Sequence, residues 1–257
     1  MISLPLPWLR RWRPPPLLHI SHAKAGSTWV AKILGALYGS EVARGGAPAR
    51  FDFHQQRVYS LFMSHEGFLA HPELLGVHRF VIIRDLRDTL VSDYFSLRDT
   101  HKLDGAGGIQ GFRDVLQARD VEGGLDYLIA HRAERHAAIQ RSWVGKETIL
   151  LRYEEMLRDD VAIFSRLLLD TFGHALSEAR LRRVVVANRF ENVFHRPLGQ
   201  ADPTSHGRQG APGDWRRHFT PANRAAFHQR FGDLLLATGY ETDDSWVTAA
   251  PEAKAVV

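Results

Sequence analysis

Three short runs of apolar residues constrain most strongly what this chain can fold into. They are LLHI beginning at Leu17, RFVIIR over Arg79–Arg84, and TILLRYE over Thr148–Glu154. Each run is apolar nearly throughout instead of alternating with polar residues, which is typical of strands buried on both faces of a sheet. Each run also leads into a stretch with the apolar spacing of a helix. This alternation predicts an α/β fold in a single domain, with a central parallel sheet flanked by helices.

The 257 residues include no cysteine, which excludes disulfide bonds, thiolate zinc sites and a cysteine nucleophile. The length suits one large α/β domain. We expect a cytoplasmic location, because a chain without cysteine fits a reducing compartment. The net charge is +4, and the basic residues are scattered instead of being gathered on one helix or arm. That distribution favours a small anionic ligand over nucleic acid as the partner.

We divide the chain into a domain over residues 17–240, a lead-in over residues 1–16 and a tail over residues 241–257. The lead-in MISLPLPWLRRWRPPP is interrupted by prolines and arginines, so we expect it to be neither the apolar region of a signal peptide nor a membrane span. Its two tryptophans beside arginines suit weak peripheral contact with a membrane surface, and a frayed or packed lead-in is the plainer alternative. We expect the tail to be partly disordered.

Two segments inside the domain are polar and rich in glycine. Residues Asp99–Gly124, which include THKLDGAGGIQGF, are interpreted as a long surface excursion that serves as a lid or an acceptor loop. Residues Arg196–Trp215 form a second loose stretch. One amphipathic helix is predicted over Leu125–Trp143, and a last helix is predicted from Pro221.

The segment HAKAGSTW over His22–Trp29 follows the first predicted strand and opens the first predicted helix. Backbone N–H groups gather at such a junction and, together with the helix dipole, form an anion site. Lys24 adds a full positive charge, and Ser27 and Thr28 add hydroxyl donors. The plainer alternative is an N-capped helix with a surface lysine. An ATP-type P-loop is disfavoured, because its lysine follows the second glycine, whereas Lys24 precedes Gly26.

A second block, IIRDLRDTLVSDYF, carries Arg84 at the end of a predicted strand and Ser92 eight residues later. Ligands of open α/β sheets bind at the carboxyl ends of the strands, so Arg84 is expected to point into that crevice. Ser92, on the following helix, is placed to donate to the same ligand. The alternative interpretation is that Arg84, Asp85, Arg87 and Asp88 form a mutually solvated charge cluster.

Together with a third block, RQGAPGDWRRHFT over Arg208–Thr220, these blocks resemble the three donor-binding motifs of sulfotransferases, in the family's order. The resemblance covers about residues 17–240 and implies a P-loop-like sulfotransferase fold. It also implies a sulfotransferase that uses 3′-phosphoadenosine 5′-phosphosulfate (PAPS) as donor, a hydroxyl or amine as acceptor, and no metal. Ala23 replaces the family's usual proline and Gln209 its usual lysine. Since Gln209 removes one charge, weaker donor binding is expected.

The resemblance further implies roles for individual residues. Lys24 would stabilise the bridging oxygen as the phosphate leaves, and His65 would be the general base, with Glu66 and His54 as alternatives. The donor would be bound by Lys24, Ala25, Gly26, Ser27 and Thr28 around the 5′-phosphosulfate, by Arg84, Ser92, Arg208, Gln209 and Gly210 around the 3′-phosphate, and by Trp29, Tyr153, Asn188 and Phe190 around the adenine.

Two other functions stay open at this point. One is a P-loop nucleotide kinase or other NTPase, and the other is a non-catalytic module that binds nucleotide phosphates or nucleic acid. The acceptor class is open as well: a small molecule, a sugar or a lipid is compatible with the sequence, and the lead-in slightly favours a lipid. The oligomeric state is not set, because the short dimerisation motif of many relatives is interrupted here at Pro221 and Ala225.

Overall fold

The computed structural model describes residues 16–39, 41–53, 56–103 and 108–249. Within these residues, the centre is a five-stranded sheet with strand order β2-β3-β1-β4-β5, in which all neighbouring strands are parallel. The strands are β1 (Leu17–Ser21), β2 (Ala43–Gly45), β3 (Val58–Phe62), β4 (His78–Ile83) and β5 (Ile149–Arg152). The predicted α/β fold with a central parallel sheet is confirmed, although β2 and β3 were not among the predicted strands.

Helices connect and cover these strands. The α-helices of the described residues are α1 (Ser27–Tyr38), α2 (His65–Leu69), α3 (Leu86–Phe95), α4 (Gly108–Gln117), α5 (Val121–His131), α6 (Ala133–Trp143), α7 (Tyr153–Arg158), α8 (Asp160–Ser165), α9 (Glu178–Ala187), α10 (Phe190–Phe194), α11 (Trp215–His218), α12 (Pro221–Ala237) and α13 (Ser245–Thr248). A 3₁₀ turn covers Pro72–Leu74, and π-helical turns cover Ser96–Thr100 and Arg166–Thr171.

The surroundings of strand β1 explain why its sequence does not alternate between apolar and polar residues. Leu17 belongs to an apolar cluster with Ile33 of α1 and Val185 of α9, whereas Leu18 belongs to a second cluster with Trp143 of α6. Consecutive side chains of a strand point to opposite faces, and β1 is hydrogen-bonded to β3 on one side and β4 on the other. Both faces of this central strand are therefore covered, and both must be apolar.

A third apolar cluster lies away from the sheet and joins α3, α5 and α12. Leu90, Leu128 and Phe227 are fully buried in it. Trp246 of α13 is only 6% exposed, and its ring packs against Trp215 with the ring centroids 5.6 Å apart. The packed core therefore continues beyond residue 240, where the sequence placed the end of the domain.

The interpretation of Asp99–Gly124 as a surface excursion is corrected by the structure, since this stretch contains α4 and the start of α5. Leu116 is fully buried in the third cluster, and Ile109 and Phe112 pack against it. These three residues recur at helical spacing, and their burial stabilises a helix despite the nearby glycines.

The predicted single helix over Leu125–Trp143 is corrected as well, because α5 and α6 are separate. Arg132 divides them with a non-helical φ of −133°. Its Nε donates to Oδ2 of the buried Asp93 at 2.6 Å, which gives the break a structural role. The predicted start of the last helix at Pro221 is confirmed.

Residues 1–15 of the lead-in, His54 and residues 250–257 of the tail lie outside the described residues. Contact of the lead-in with a membrane stays a prediction. Among the described residues, no helix has both the length and the apolar character that a bilayer crossing requires.

Candidate functional site

A cavity of about 630 Å³ opens at the carboxyl end of the sheet. Its wall includes Lys24 from the turn after β1, Arg84 directly after β4, and Tyr153 directly after β5. Residues of α10 and of the segment before α11 form other parts of the wall. Open α/β sheets bind ligands at this position, and the volume is that of a small-molecule site.

The turn between β1 and α1 presents backbone donors to this cavity. Gly26 is the N-cap of α1 with a φ of +81°, and no side chain of the described residues caps the first turn. A Cβ at Gly26 would lie 2.8 Å from Cδ2 of Tyr153, so only glycine fits there. Lys24 also has a left-handed φ, of +68°, which costs an L-residue about 1–2 kcal/mol. The uncapped amides favour the anion site over the plain N-capped helix.

Lys24 lies partly exposed on the cavity wall. Burial of its ammonium lowers the pKa of Lys24 to about 8, while Asp93 acts to raise this pKa and Arg84 to lower it. The side chain is therefore mostly charged at neutral pH, and it loses its charge under mildly alkaline conditions.

Arg84 is a buried cation, with only 8% of the residue exposed. Its Nη1 donates to the carbonyl of Lys24 at 3.1 Å, and its guanidinium carbon lies 4.8 Å from the ring centre of Tyr153. Its Nε is buried without a hydrogen-bond partner among the described residues. The neighbouring charges pair with each other, since Arg87 contacts Asp85 at 2.7 Å. Arg84 is therefore not part of a solvated charge cluster.

A buried polar network supports Lys24 from the protein side. Asp93, adjacent to Ser92 in the chain, accepts from Arg132 at 2.6 Å and from Nε2 of His136 at 3.0 Å. Burial would raise the pKa of Asp93, but the His136 hydrogen bond and the charges of Arg132 and Lys24 lower it. Asp93 thus remains ionised and acts as a fixed counter-charge to Lys24.

A second buried contact ties the turn after β1 to the end of β4. Nε2 of Gln140 donates to the carbonyl of Arg84 at 2.7 Å and to Nε2 of His22 at 2.8 Å. Burial lowers the pKa of His22 to about 3, so its ring is neutral and can accept this bond. These two hydrogen bonds fix the positions of the ends of β1 and β4, which lead to Lys24 and Arg84, relative to each other.

Residues 207–215, called here the closing segment, are fastened across the cavity. The carboxylate of Asp88 and the hydroxyl of Tyr153 provide the anchors, and burial raises the pKa of Asp88 to about 6. The three bonds run from Tyr153 Oη to the carbonyl of Gly210 at 2.8 Å, from Gly213 N to Asp88 at 2.6 Å, and from Trp215 N to Asp88 at 2.9 Å.

Within the closing segment, Asp214 uses donors that the sequence assigned to a ligand. Nη2 of Arg208 is ion-paired with Asp214. Gln209, oriented with its amide nitrogen towards Asp214, donates to both carboxylate oxygens at 3.0 and 3.1 Å. The Nε of Arg208 is buried and has no partner among the described residues. Arg208 therefore keeps a donor for a ligand, whereas the side chain of Gln209 holds the segment itself.

The four residues assigned to adenine binding all line the cavity. Trp29 and Tyr153 pack edge to face with ring centroids 6.1 Å apart. Phe190 lies so close to Gly210 that a Cβ there would be 2.7 Å from its ring. The amide nitrogen of Asn188 donates to the carbonyl at the preceding helical turn at 2.9 Å. The structure brings these residues together, and their contact with adenine stays a prediction.

His65 lies apart from these groups. Its ring packs edge to face against Trp143, with centroids 5.0 Å apart, and stacks along Phe68 at 6.4 Å. Of the described residues, neither His65 nor Glu66 lines the cavity. The third candidate base, His54, is outside the described residues. The role of His65 as general base stays a prediction.

Arg44, His101 and His206 are among the polar side chains of the cavity wall that sequence analysis did not assign to the site. Arg44 of β2 donates its Nη2 to Oγ1 of Thr28 at 2.6 Å. His101 and His206 also line the wall, with ring centroids 6.4 Å apart. In the sequence, His101 follows the second block and His206 precedes the third block. This proximity is the signal that could have identified the two histidines.

The arrangement is suited to a ligand with several negative charges and an aromatic part. Uncapped amides, Lys24, Arg84 and the unpartnered donor of Arg208 supply positive potential, and Trp29, Tyr153 and Phe190 supply aromatic surface. Across the ranges that the structure describes, no group of three or more His, Asp or Glu side chains is placed to hold a metal ion.

A family model and several known proteins match this chain. The family model described as the sulfotransferase domain matches residues 78–239. Sulfotransferase 2A2 of Mus musculus is 25% identical over 245 residues, covering 85% of this chain and 84% of that protein. Sulfotransferase 1A1 of Bos taurus is 23% identical, covering 90% and 86%.

Solved structures share the fold. Mouse sulfotransferase SULT7A1 complexed with PAP has a TM-score of 0.60 and 15% identity, covering 92% of this chain and 88% of that one. Retinol dehydratase in complex with retinol and PAP has a TM-score of 0.53 and 16% identity, covering 87% and 82%.

Proposed function

Because this chain belongs to the sulfotransferase domain family, we propose that it transfers the sulfuryl group of PAPS to a hydroxyl or amine of a small acceptor. The enzyme class expected from the sequence, a sulfotransferase, is confirmed. The kinase and binding-module alternatives are therefore set aside. The observation that carries the proposal is the convergence of Lys24, Arg84, Arg208 and the uncapped start of α1 on one cavity.

PAPS is the donor that family membership and the PAP-bound neighbours support. The fit in this chain rests on buried donors that lack partners among the described residues, namely Nε of Arg84 and Nε of Arg208. A buried guanidinium donor without a partner is costly, and a phosphate oxygen is its natural acceptor.

We assign the two phosphate ends of PAPS to two parts of the cavity. The amides of residues 25–28 and the ammonium of Lys24 would bind the 5′-phosphosulfate. Arg84, Ser92, the free donor of Arg208 and the backbone of Gly210 would bind the 3′-phosphate. Gln209 would contribute by fixing Asp214 and not by touching the phosphate.

Lys24 is the residue to which we assign charge stabilisation. PAPS supplies an activated sulfuryl group when bound. Sulfuryl transfer resembles phosphoryl transfer, in which positioning and electrostatic stabilisation dominate catalysis. With the ionised Asp93 acting to keep it charged, the Lys24 ammonium would offset the negative charge that grows on the oxygen bridging phosphorus and sulfur.

For the acceptor, we infer a small molecule with a hydroxyl group. Retinol dehydratase binds retinol in one structure and androsterone in another. Both are apolar alcohols, and the cavity of this chain combines apolar side chains such as Phe62 and Phe194 with the polar groups described above. A sugar or a lipid alcohol remains compatible with the same chemistry.

We expect the affinity for 3′-phosphoadenosine 5′-phosphate (PAP) to fall as the pH rises through about 8, because Lys24 then loses its charge. A bound anion favours the charged ammonium, so binding above this pH takes up a proton. Calorimetric titrations at pH 7 and pH 9, in buffers of different ionisation enthalpy, measure both effects. Equal affinity at the two pH values would contradict the assignment.

The proposed function is tested by titrating the full chain with PAP and with Mg-ATP, and by following the conversion of PAPS to PAP with 2-naphthol as acceptor. Micromolar PAP binding together with PAPS turnover supports the proposal. Binding of Mg-ATP without binding of PAP would overturn it. PAP binding without PAPS turnover, whichever hydroxyl or amine acceptor is supplied, would contradict the proposed transfer.

A further inference from the structure

The acceptor must lose a proton as it is sulfated, and the cavity wall offers two histidines that the sequence resemblance did not assign. His101 follows the π-helical turn that extends α3, and His206 lies just before Arg208. Their ring centroids are 6.4 Å apart. Both line the cavity, whereas His65 lies against Trp143 and does not.

His101 is the better positioned of the two. Its backbone N–H donates to the carbonyl of Ser96 at 2.6 Å, and its own carbonyl accepts from Nη2 of Arg113 at 2.5 Å. Its ring Nδ1 lies 3.3 Å from the hydroxyl of the buried Ser96. Nε2 has no hydrogen-bond partner among the described residues. Ser96 can thus hold the hydrogen on Nδ1, which leaves the Nε2 lone pair for a ligand.

The charges around His101 favour its neutral form. Burial lowers the pKa of His101, Lys24 lowers it further, and Arg132 and Arg113 act in the same direction, whereas Asp93 opposes them. His206, across the cavity, has its own pKa lowered by burial and by Lys24. A general base must be unprotonated before it accepts a proton, and the lowered pKa of His101 favours that neutral form.

We propose that His101 is the general base of the sulfuryl transfer, an inference that rests on the proposed function. The acceptor oxygen forms a bond to sulfur with its lone pair, and the bond from sulfur to the bridging oxygen breaks. That electron pair stays on the phosphate of the departing PAP, where Lys24 offsets it. The acceptor proton moves to Nε2 of His101. The sulfated product and PAP together contain all the atoms of the two substrates apart from this proton.

The test compares His101→Gln with His206→Gln and His65→Gln, and uses the exposed His131→Gln as matched control. PAPS turnover with 2-naphthol is measured across pH, and PAP affinity is measured by calorimetry. For His101→Gln we expect turnover to fall about 10²- to 10³-fold, with PAP affinity within threefold of the wild type. The acid limb of kcat/KM, expected below the ordinary histidine value of 6.5, should disappear in this variant alone.

A second variant and a spectroscopic measurement separate catalysis from structure. Ser96→Ala should keep the melting temperature near that of the wild type and lower turnover several-fold, because the imidazole tautomer is no longer fixed. Nitrogen-15 NMR of the PAP complex at pH 7 should show His101 with hydrogen on Nδ1 and a free Nε2. Hydrogen on Nε2 would overturn the proposal.

The remaining outcomes are equally decisive. A loss of turnover and of the acid limb in His65→Gln, with His101→Gln nearly unchanged, would return the role of base to His65. The same result in His206→Gln would transfer it to His206. A wild type that binds PAP but never converts PAPS would refute the proposed function itself, independently of which histidine is the base.

Discussion

Replacing Lys24 by methionine is expected to lower turnover by roughly 10²- to 10³-fold, as when one preorganised electrostatic stabiliser is removed elsewhere. Methionine keeps most of the side-chain length and removes the ammonium from the cavity wall. Affinity for PAP should fall as well, because PAP keeps the 5′-phosphate next to the turn. Steady-state kinetics with PAPS and calorimetry with PAP measure the two losses separately.

Lys146→Met is the matched control for this experiment, because Lys146 is exposed on the loop after α6 and does not line the cavity. Its turnover and its PAP affinity should equal those of the wild type. Lys24→Met should also lose the decline in PAP affinity above about pH 8 that we expect of the wild type. A Lys24→Met enzyme with unchanged turnover would remove Lys24 from the mechanism.

Replacing Arg84 by glutamine is expected to weaken PAP binding by about 10- to 100-fold, the equivalent of losing a hydrogen bond between charged groups. The reason is that Arg84 is buried with an unpartnered Nε at the end of β4. The same change should alter the affinity for adenosine 5′-phosphate only a few-fold, because this ligand lacks the 3′-phosphate. Calorimetry with both nucleotides on both proteins forms a cycle that isolates the 3′-phosphate contact.

Arg141→Gln provides the control, since Arg141 is exposed on α6, where it pairs with Glu134. Its affinities for both nucleotides should match the wild type. Equal losses for PAP and adenosine 5′-phosphate in Arg84→Gln would contradict the 3′-phosphate assignment. They would indicate that Arg84 acts through its hydrogen bond to the Lys24 carbonyl, which shapes the turn.

Strands of the sheet could be predicted where an apolar run in the sequence coincides with burial in the folded chain. The runs at Leu17, Arg79 and Thr148 became β1, β4 and β5 because their apolar residues serve clusters on both faces. Strand β2 has only three residues and no apolar pattern, so its pairing with β3 depends on tertiary context. Helix α4 was missed because its glycines resemble a loop, while the burial of Leu116 that stabilises it is visible only in the folded chain.

The same distinction applies to the candidate site. Lys24, Arg84 and Arg208 could be identified because each stands in a contiguous block, and the structure places all three on one cavity. Gln209 could be recognised as a departure, but its partner Asp214 could not, since the sequence does not reveal which donor satisfies a buried carboxylate. His101 and His206 approach each other from segments about a hundred residues apart, and no local pattern records that contact.

The three hydrogen bonds that fasten the closing segment have a consequence for the thermodynamics of donor binding. All three join protein groups to protein groups, so they form when the chain folds. Ordering one residue of backbone costs about 1–2 kcal/mol of conformational entropy. For this segment that cost falls on folding and not on binding, and a preorganised site keeps more of its contact energy as affinity.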